Sequence, residues 1–257
     1  MNVEFLLFIS FGIFYIVLQD QIAFLDVLKN AGDKYRAGWE WVRSNFAKII
    51  SDEVQIEPAW TTHSLILLNC AAFVYAISLG YEQILSDFAF VPAMADQYWR
   101  WLTHQFLHAS TPSLAAPFSA HLLGNMVYLY VFGDNVEDVF KHLAGRIETT
   151  VNLYVLFYLA GGVVAAAVQA TAVGWNSTAL MVGASGSISA VLGAYAVLFP
   201  RNMVKAGGVN IMPAMVFFIA WFSSQILGND PTIAASAHVG GFIYGAAVGA
   251  VLRKITR

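Results

Sequence analysis

Charge is scarce in this chain. Asp, Glu, Lys and Arg make up 11% of its 257 residues, against about 25% in an ordinary soluble domain. That shortage excludes a typical water-soluble fold. The formal net charge is −3, so no basic excess points to nucleic acid. Cys70 is the single cysteine, which excludes an intramolecular disulfide and leaves the redox compartment open. Strict in–out alternation is missing from the apolar segments, which argues against a transmembrane barrel. Low-complexity tracts and internal repeats are missing too. The chain therefore reads as residues 1–57, a hydrophobic segment and linker, followed by one domain over 58–257.

What is abundant is apolar sequence, at 58% of residues and a mean hydropathy of +0.63. Runs of about 20 apolar residues, enough to cross ~30 Å of hydrocarbon, recur near 61–80, 119–137, 150–172, 183–200, 208–227 and 235–254. In lipid, helices satisfy their own backbone bonds. The expected fold is all-α: a polytopic membrane bundle of six core spans. Orientation follows from the basic residues. Lys29, Lys34, Arg36, Arg43, Lys48, Lys141, Arg146, Arg201, Lys205, Arg253, Lys254 and Arg257 all fall on one side of that layout. Arg100 alone falls on the other. The crowded side is expected to be cytoplasmic, with the C-terminus there, in a plasma or bacterial inner membrane.

Two further segments bear on topology. Residues 5–18, "FLLFISFGIFYIVL", read as an additional N-terminal transmembrane helix with its start outside. A signal peptide needs a basic leading region, and no Lys or Arg precedes Lys29. Residues 39–50 put Trp39, Val42, Phe46 and Ile49 on one helical face. That pattern suits an amphipathic helix on the cytoplasmic surface or a docked, solvated linker helix. The connection over 81–118 is long and carries Tyr81, Phe88, Phe90, Tyr98, Trp99, Trp101 and Phe106. Such a loop is expected to lie partly in the outer interface, where Trp and Tyr are favoured.

Polar residues inside spans are costly and usually functional. Here they are His121 and Asn125 in the second span, Ser185 in the fourth and His238 in the sixth. Each of these spans runs inward from the outer face, and His121, Ser185 and His238 sit near its start, at one depth. His121 and Asn125 are four apart and share a helix face. Gly241, Gly245 and Gly249 form a small-residue stripe, as do Gly186, Ala190 and Ala194. Such stripes let transmembrane backbones touch. Facing stripes would bring Ser185 and His238 together at their outer ends. A serine hydroxyl becomes a nucleophile when a base takes its proton. The Gly183–Gly186 start of the fourth span aims backbone N–H groups at an anion beside Ser185. His121 and Asn125 are suited to add side-chain donors to the same oxyanion.

Each piece alone has a plainer reading. Gly and Ser are common at helix-packing faces, His238 suits an interface, and Asn125 suits a bond between helices. His104 and His108 are four apart, which fits a metal pair, but no third ligand stands at a familiar spacing. A metal site there is not expected. A transporter or channel also places polar groups at one depth. The chain lacks its paired carboxylates and matched broken half-helices. The joint occurrence of serine, histidines and asparagine at one depth favours acyl transfer.

Over about residues 58–250 these motifs resemble the rhomboid family of intramembrane serine proteases. "GASG" looks like its nucleophile motif, with Ser185. "AHVGGFIYG" resembles its final-span pattern at His238, Gly241 and Gly245. "HLLGNMVYLYVFGDNVED" resembles its second span, with His121 and Asn125. "YWR" resembles its first-loop Trp-Arg, at Trp99 and Arg100. The resemblance implies Ser185 and His238 as a catalytic dyad without an aspartate, and no metal or organic cofactor. It implies oxyanion stabilisation by His121, Asn125 and backbone at Gly183 and Ser185. Trp99, Arg100, Gly186, Gly241 and Gly245 would be structural. Substrates would be single-span membrane proteins cut near the outer face, which is where the active site would open. A pseudoprotease that binds membrane clients is the alternative; such proteins usually lose the serine or histidine, and both are present here. Two departures stand out: Ser189 replaces an aromatic often found four residues after the nucleophile, and Ala109–Ser119 is longer than the usual approach to the second span.

Overall fold

The computed structural model describes residues 59–109, 119–144, 147–206, 209–227 and 234–255. The expected N-terminal span, the amphipathic segment and most of the long approach to residue 119 lie outside these. The described residues fall into two compact units, 59–199 with 234–255, and 200–227.

In the first unit, α1 (Trp60–Leu79) is followed by the connecting segment, then α4 (Ala120–Ala144), α5 (Ile147–Val173), α6 (Ser185–Leu198) and α8 (Ala235–Ile255). The connecting segment contains α2 (Tyr81–Phe88), the single turn α3 (Arg100–Thr103) and 3-10 turns at Pro92–Met94 and His104–Phe106. These long helices occupy the places expected for spans. By length and composition, α1, α5 from Leu153, and α8 are long and apolar enough to cross a membrane. α4 has the length but carries Asp134, Glu137, Asp138 and Lys141 toward its end. α6 is apolar but has only 14 residues.

α6 is the centre of this unit. Every residue from Gly186 to Ala196 is buried. A helix apolar on all sides belongs in a core, and small residues let its neighbours come close. A Cβ added to Gly241 would lie 2.2 Å from the Gly186 carbonyl oxygen, and one on Gly245 would lie 1.8 Å from that of Ala190. A Cβ on Gly249 would lie 2.9 Å from Ala194 Cα. The two small-residue stripes face each other over three turns. α6 also meets α5, where a Cβ on Gly161 would lie 2.6 Å from Ala190 Cβ.

At the opposite end of the bundle, Glu137 of α4 caps α1. Its carboxylate accepts the Thr61 N–H at 3.1 Å and the Thr62 N–H at 2.7 Å. Lys141 lies 3.9 Å away. These are orphan donors of a helix start, and a carboxylate there also suits the helix dipole. Tyr154 of α5 donates to the Gly133 carbonyl at 3.3 Å and joins the same junction.

The second unit corrects one expectation. The fifth span was expected from residue 208, but its helix, α7, is Ala214–Leu227. Before it, β1 (Met203–Ala206) pairs antiparallel with β2 (Val209–Pro213). Ala206 opposite Val209 leaves a two-residue connection, Gly-Gly in the sequence. Such a pair between β-prone runs is a hairpin signal. Hydropathy hid it, because Val209, Ile211 and Met212 read as apolar in either state. The Ala214 N–H donates to the Asn202 carbonyl at 2.7 Å, closing the hairpin base against the helix start.

Candidate active site

Ser185 is the first residue of α6, and His238 lies in the first turn of α8. The Ser185 hydroxyl and His238 Nε2 are 2.8 Å apart. The packed stripes hold the two helices at this separation. A neutral imidazole Nε2 lone pair accepts from the serine hydroxyl in this geometry. Both residues are half-buried.

His121 comes to the same place from α4. Its Nδ1 accepts the Ala109 N–H at 3.1 Å. In a neutral ring the hydrogen must then sit on Nε2. Gly183 separates this edge of the ring from Ser185. A Cβ at Gly183 would lie 2.7 Å from His121 Cε1, 3.1 Å from its Nε2 and 3.6 Å from Ser185 Oγ. Gly183 also has φ +121, which L side chains rarely adopt. Glycine is needed here for both reasons, and it leaves the His121 Nε2–H close to the serine.

Asn125 is buried one turn further along α4 and donates one amide N–H to the His121 carbonyl at 2.7 Å. An amide has a second N–H to give. The Gly183 N–H departs from expectation. It donates to the His104 carbonyl at 2.9 Å and so is committed to the loop. The backbone donors left for an anion are those of the first turn of α6, beginning with Ser185, because a helix start has no earlier carbonyl to receive them.

The aromatic loop carries the remaining expected residues. Arg100 is buried and donates to the carbonyls of Ala89 at 2.7 Å and Ser86 at 2.8 Å, and to Gln97 Oε1 at 2.6 Å. Trp99 stays 41% exposed while its indole N–H reaches the Asp87 carbonyl at 3.2 Å. Together they hold the loop's turns. Phe90 and Met181 exchange backbone hydrogen bonds, tying the loop to the segment just before Ser185.

His104 and His108 are both buried in this loop. Burial lowers the His104 pKa to about 4, although its bond to the Arg100 carbonyl pulls the other way. Burial, with a smaller effect from His121, lowers that of His108 to about 3. Both are neutral near pH 7. His108 Nε2 bonds Asn69 Oδ1 at 3.0 Å, and its ring centre lies 5.4 Å from that of His121. Neither joins a group of three His, Cys, Asp or Glu suited to a metal among the described residues.

Several supporting residues escaped sequence reasoning. Gln105 accepts the Ser187 hydroxyl at 2.8 Å, two residues beyond Ser185. Ser236, two residues before His238, donates to Gln169 Oε1 in α5. Glu137 was missed although a carboxylate inside a span is a signal in itself. Gln105 had no such signal, because Leu159 and Ser187, which it joins across the fold, are distant in sequence.

Apolar helices packed around a short buried one, with a serine–histidine pair at its start, define a multi-pass integral membrane protein. The chain belongs to the rhomboid family: residues 95–255 match the model of the Rhomboid domain. It is 25% identical to Rhomboid-related protein 2 of Mus musculus over 71% of this chain and 60% of that protein. It is also 25% identical to Rhomboid protease GlpG of Haemophilus influenzae, over 76% of this chain and 92% of that one. With Rhomboid protease GlpG of Serratia proteamaculans the identity is 31%, over 58% of this chain and 46% of that protein. The chain thus spans less than two thirds of the mouse and Serratia relatives and most of the Haemophilus one.

Proposed function

We propose that this protein is an intramembrane serine endopeptidase that cuts membrane-protein substrates in or near their transmembrane helices. The 2.8 Å contact between Ser185 Oγ and His238 Nε2 carries the reading. A hydroxyl facing a neutral imidazole is the arrangement that makes serine a nucleophile. Relatives named as rhomboid proteases support the same chemistry.

In the proposed mechanism, Ser185 Oγ attacks the scissile carbonyl carbon while His238 Nε2 takes its proton. The charge that develops on the substrate oxygen is met by the Ser185 N–H, His121 Nε2–H and the second amide N–H of Asn125. His238 returns the proton to the leaving amine as the peptide bond breaks. A water molecule then attacks the acyl-enzyme carbonyl while giving a proton to His238. The ester bond to Ser185 breaks, the carboxylic acid product leaves, and His238 returns the proton to Ser185 Oγ.

The length of α6 supports a site below the membrane surface. Its 14 residues span about 21 Å, short of the ~30 Å hydrocarbon core. Its serine end is proposed to open toward the extracytoplasmic face, in a domain over 58–257 preceded by a separate N-terminal segment.

A fluorophosphonate probe and a model transmembrane substrate test the assignment. Wild-type protein is expected to be labelled at Ser185 and to cleave. Ser185→Ala and His238→Ala are each expected to abolish cleavage in folded protein. The double variant should lose little more, because the two residues act as a unit. Near-wild-type turnover by purified Ser185→Ala would sink the assignment.

A further inference from the structure

The 3-10 turn His104–Phe106 grips both flanks of Ser185. The His104 carbonyl accepts the Gly183 N–H at 2.9 Å. The next residue, Gln105, accepts the Ser187 hydroxyl at 2.8 Å. Gly183 and Ser187 lie symmetrically about Ser185. Two consecutive loop residues therefore hold the chain just before and just after the nucleophile.

The amide of Gln105 has a single sensible orientation. Its Nε2 donates to the Trp101 carbonyl at 3.0 Å and to the Leu159 carbonyl of α5 at 3.2 Å. Carbonyl oxygens can face only the NH2 end, so Oε1 is left for Ser187, whose hydroxyl is the donor. Gln105 and Ser187 are both fully buried. Losing their bond would leave a buried polar group unpaired, which is expensive away from water. Gly162 makes the room. A Cβ there would lie 2.2 Å from Gln105 Cδ and 2.6 Å from Ser187 Oγ. The amide is wedged between loop, α5 and the first turn of α6.

That turn needs an external hold. No side chain caps α6, and helix ends are where local opening begins. The same turn carries Ser185 and the backbone donors for the oxyanion. A misplacement of about 1 Å at a reacting group can cost ~10²-fold in rate.

We propose that Gln105 is a positioning residue for acyl transfer: through Ser187, and together with the His104 carbonyl, it clamps residues 183–187 and holds Ser185 Oγ against His238. The inference rests on the catalytic reading of Ser185 given above. Gln105 touches no reacting atom and acts only through the helix start.

The test compares wild type with Ser187→Ala, Gln105→Met and the double variant in one detergent. It measures kcat and KM on a transmembrane substrate, the rate of Ser185 labelling by a fluorophosphonate, and the melting temperature. Ser187→Ala removes one hydroxyl and leaves Gln105 its two carbonyls, so it reports on the clamp even where Gln105→Met fails to fold. In both single variants, kcat and labelling rate are expected to fall about tenfold to a hundredfold. KM should stay within about twofold, the pattern of an interaction that matters in the transition state. The double variant should be no slower than the slower single, since both remove the same bond. Glu137→Gln, at the far end of the bundle, serves as the stability control and should lower the melting temperature while sparing kcat.

A Ser187→Ala kcat within about twofold of wild type would overturn the clamp. So would an equal kcat loss in Glu137→Gln at a matched loss of melting temperature. Wild-type protein that neither cleaves nor labels at Ser185 would instead overturn the catalytic reading, so the two failures are distinct.

Discussion

His121 shows how one backbone contact sets a side chain's chemistry. Because the Ala109 N–H occupies Nδ1, the hydrogen sits on Nε2, beside Ser185. Asn125 uses one amide hydrogen within its own helix and keeps a second. If both serve as oxyanion donors, removing either should slow cleavage without preventing attack by Ser185. One lost donor typically costs ~10²–10³ in rate. Three donors share the charge in the proposed site, so each single loss should be about tenfold to a hundredfold. His121→Ala and Asn125→Ala should still form a covalent fluorophosphonate adduct, although more slowly. A purely structural Asn125 would instead be worth ~0.6 kcal/mol, typical of an intramembrane hydrogen bond. Cleavage rate and melting temperature measured together separate the two: unchanged rates with a lower melting temperature would remove both residues from the site.

Between elements, the α6–α8 seam sets the serine–histidine distance. Gly245 is its tightest point, 1.8 Å from a backbone oxygen once a Cβ is added. Backbone cannot swing aside as a side-chain tip can. Gly245→Val should force the helices apart, lower the melting temperature and abolish cleavage. Gly249→Ala meets Ala194 at 2.9 Å, far from Ser185, and is the milder case. Its cost should be in the ~1–3 kcal/mol range of overpacking, with most activity retained. Thermal unfolding and cleavage assays on both variants check this. Wild-type behaviour of Gly245→Val would show that the seam does not set the distance. Of this seam, the stripes were legible in the sequence as small residues at four-residue spacing. The hairpin before α7 was not, because apolar β-prone residues carry the same hydropathy as a span.

For the whole molecule, orientation decides where substrate bonds meet the serine. The proposed topology puts the C-terminus in the cytoplasm and Ser185 toward the outer face. In a Cys70→Ser background, single cysteines at Gly207 and Arg257 should resist an impermeant thiol reagent in intact cells. One at Asp230 should react. The reverse pattern would place the proposed site on the cytoplasmic side. This expectation comes from the distribution of Lys and Arg, which acts during insertion and is therefore readable without a fold.

Except for the start of α7, composition and periodicity were sufficient to place the described helices expected as spans, because hydrocarbon tolerates few alternatives to a self-satisfied helix. Chemically expensive residues inside those helices marked Ser185, His121, Asn125 and His238 for the same reason. Bonds between distant segments could not be read that way. Gly183 looked like a backbone donor, yet its N–H goes to His104, a residue in another turn of chain. Nothing in the local sequence singled out Gln105, yet its buried amide joins Leu159 and Ser187. Local sequence sets which groups are costly to bury; only the packing of the folded chain decides which partner satisfies each one.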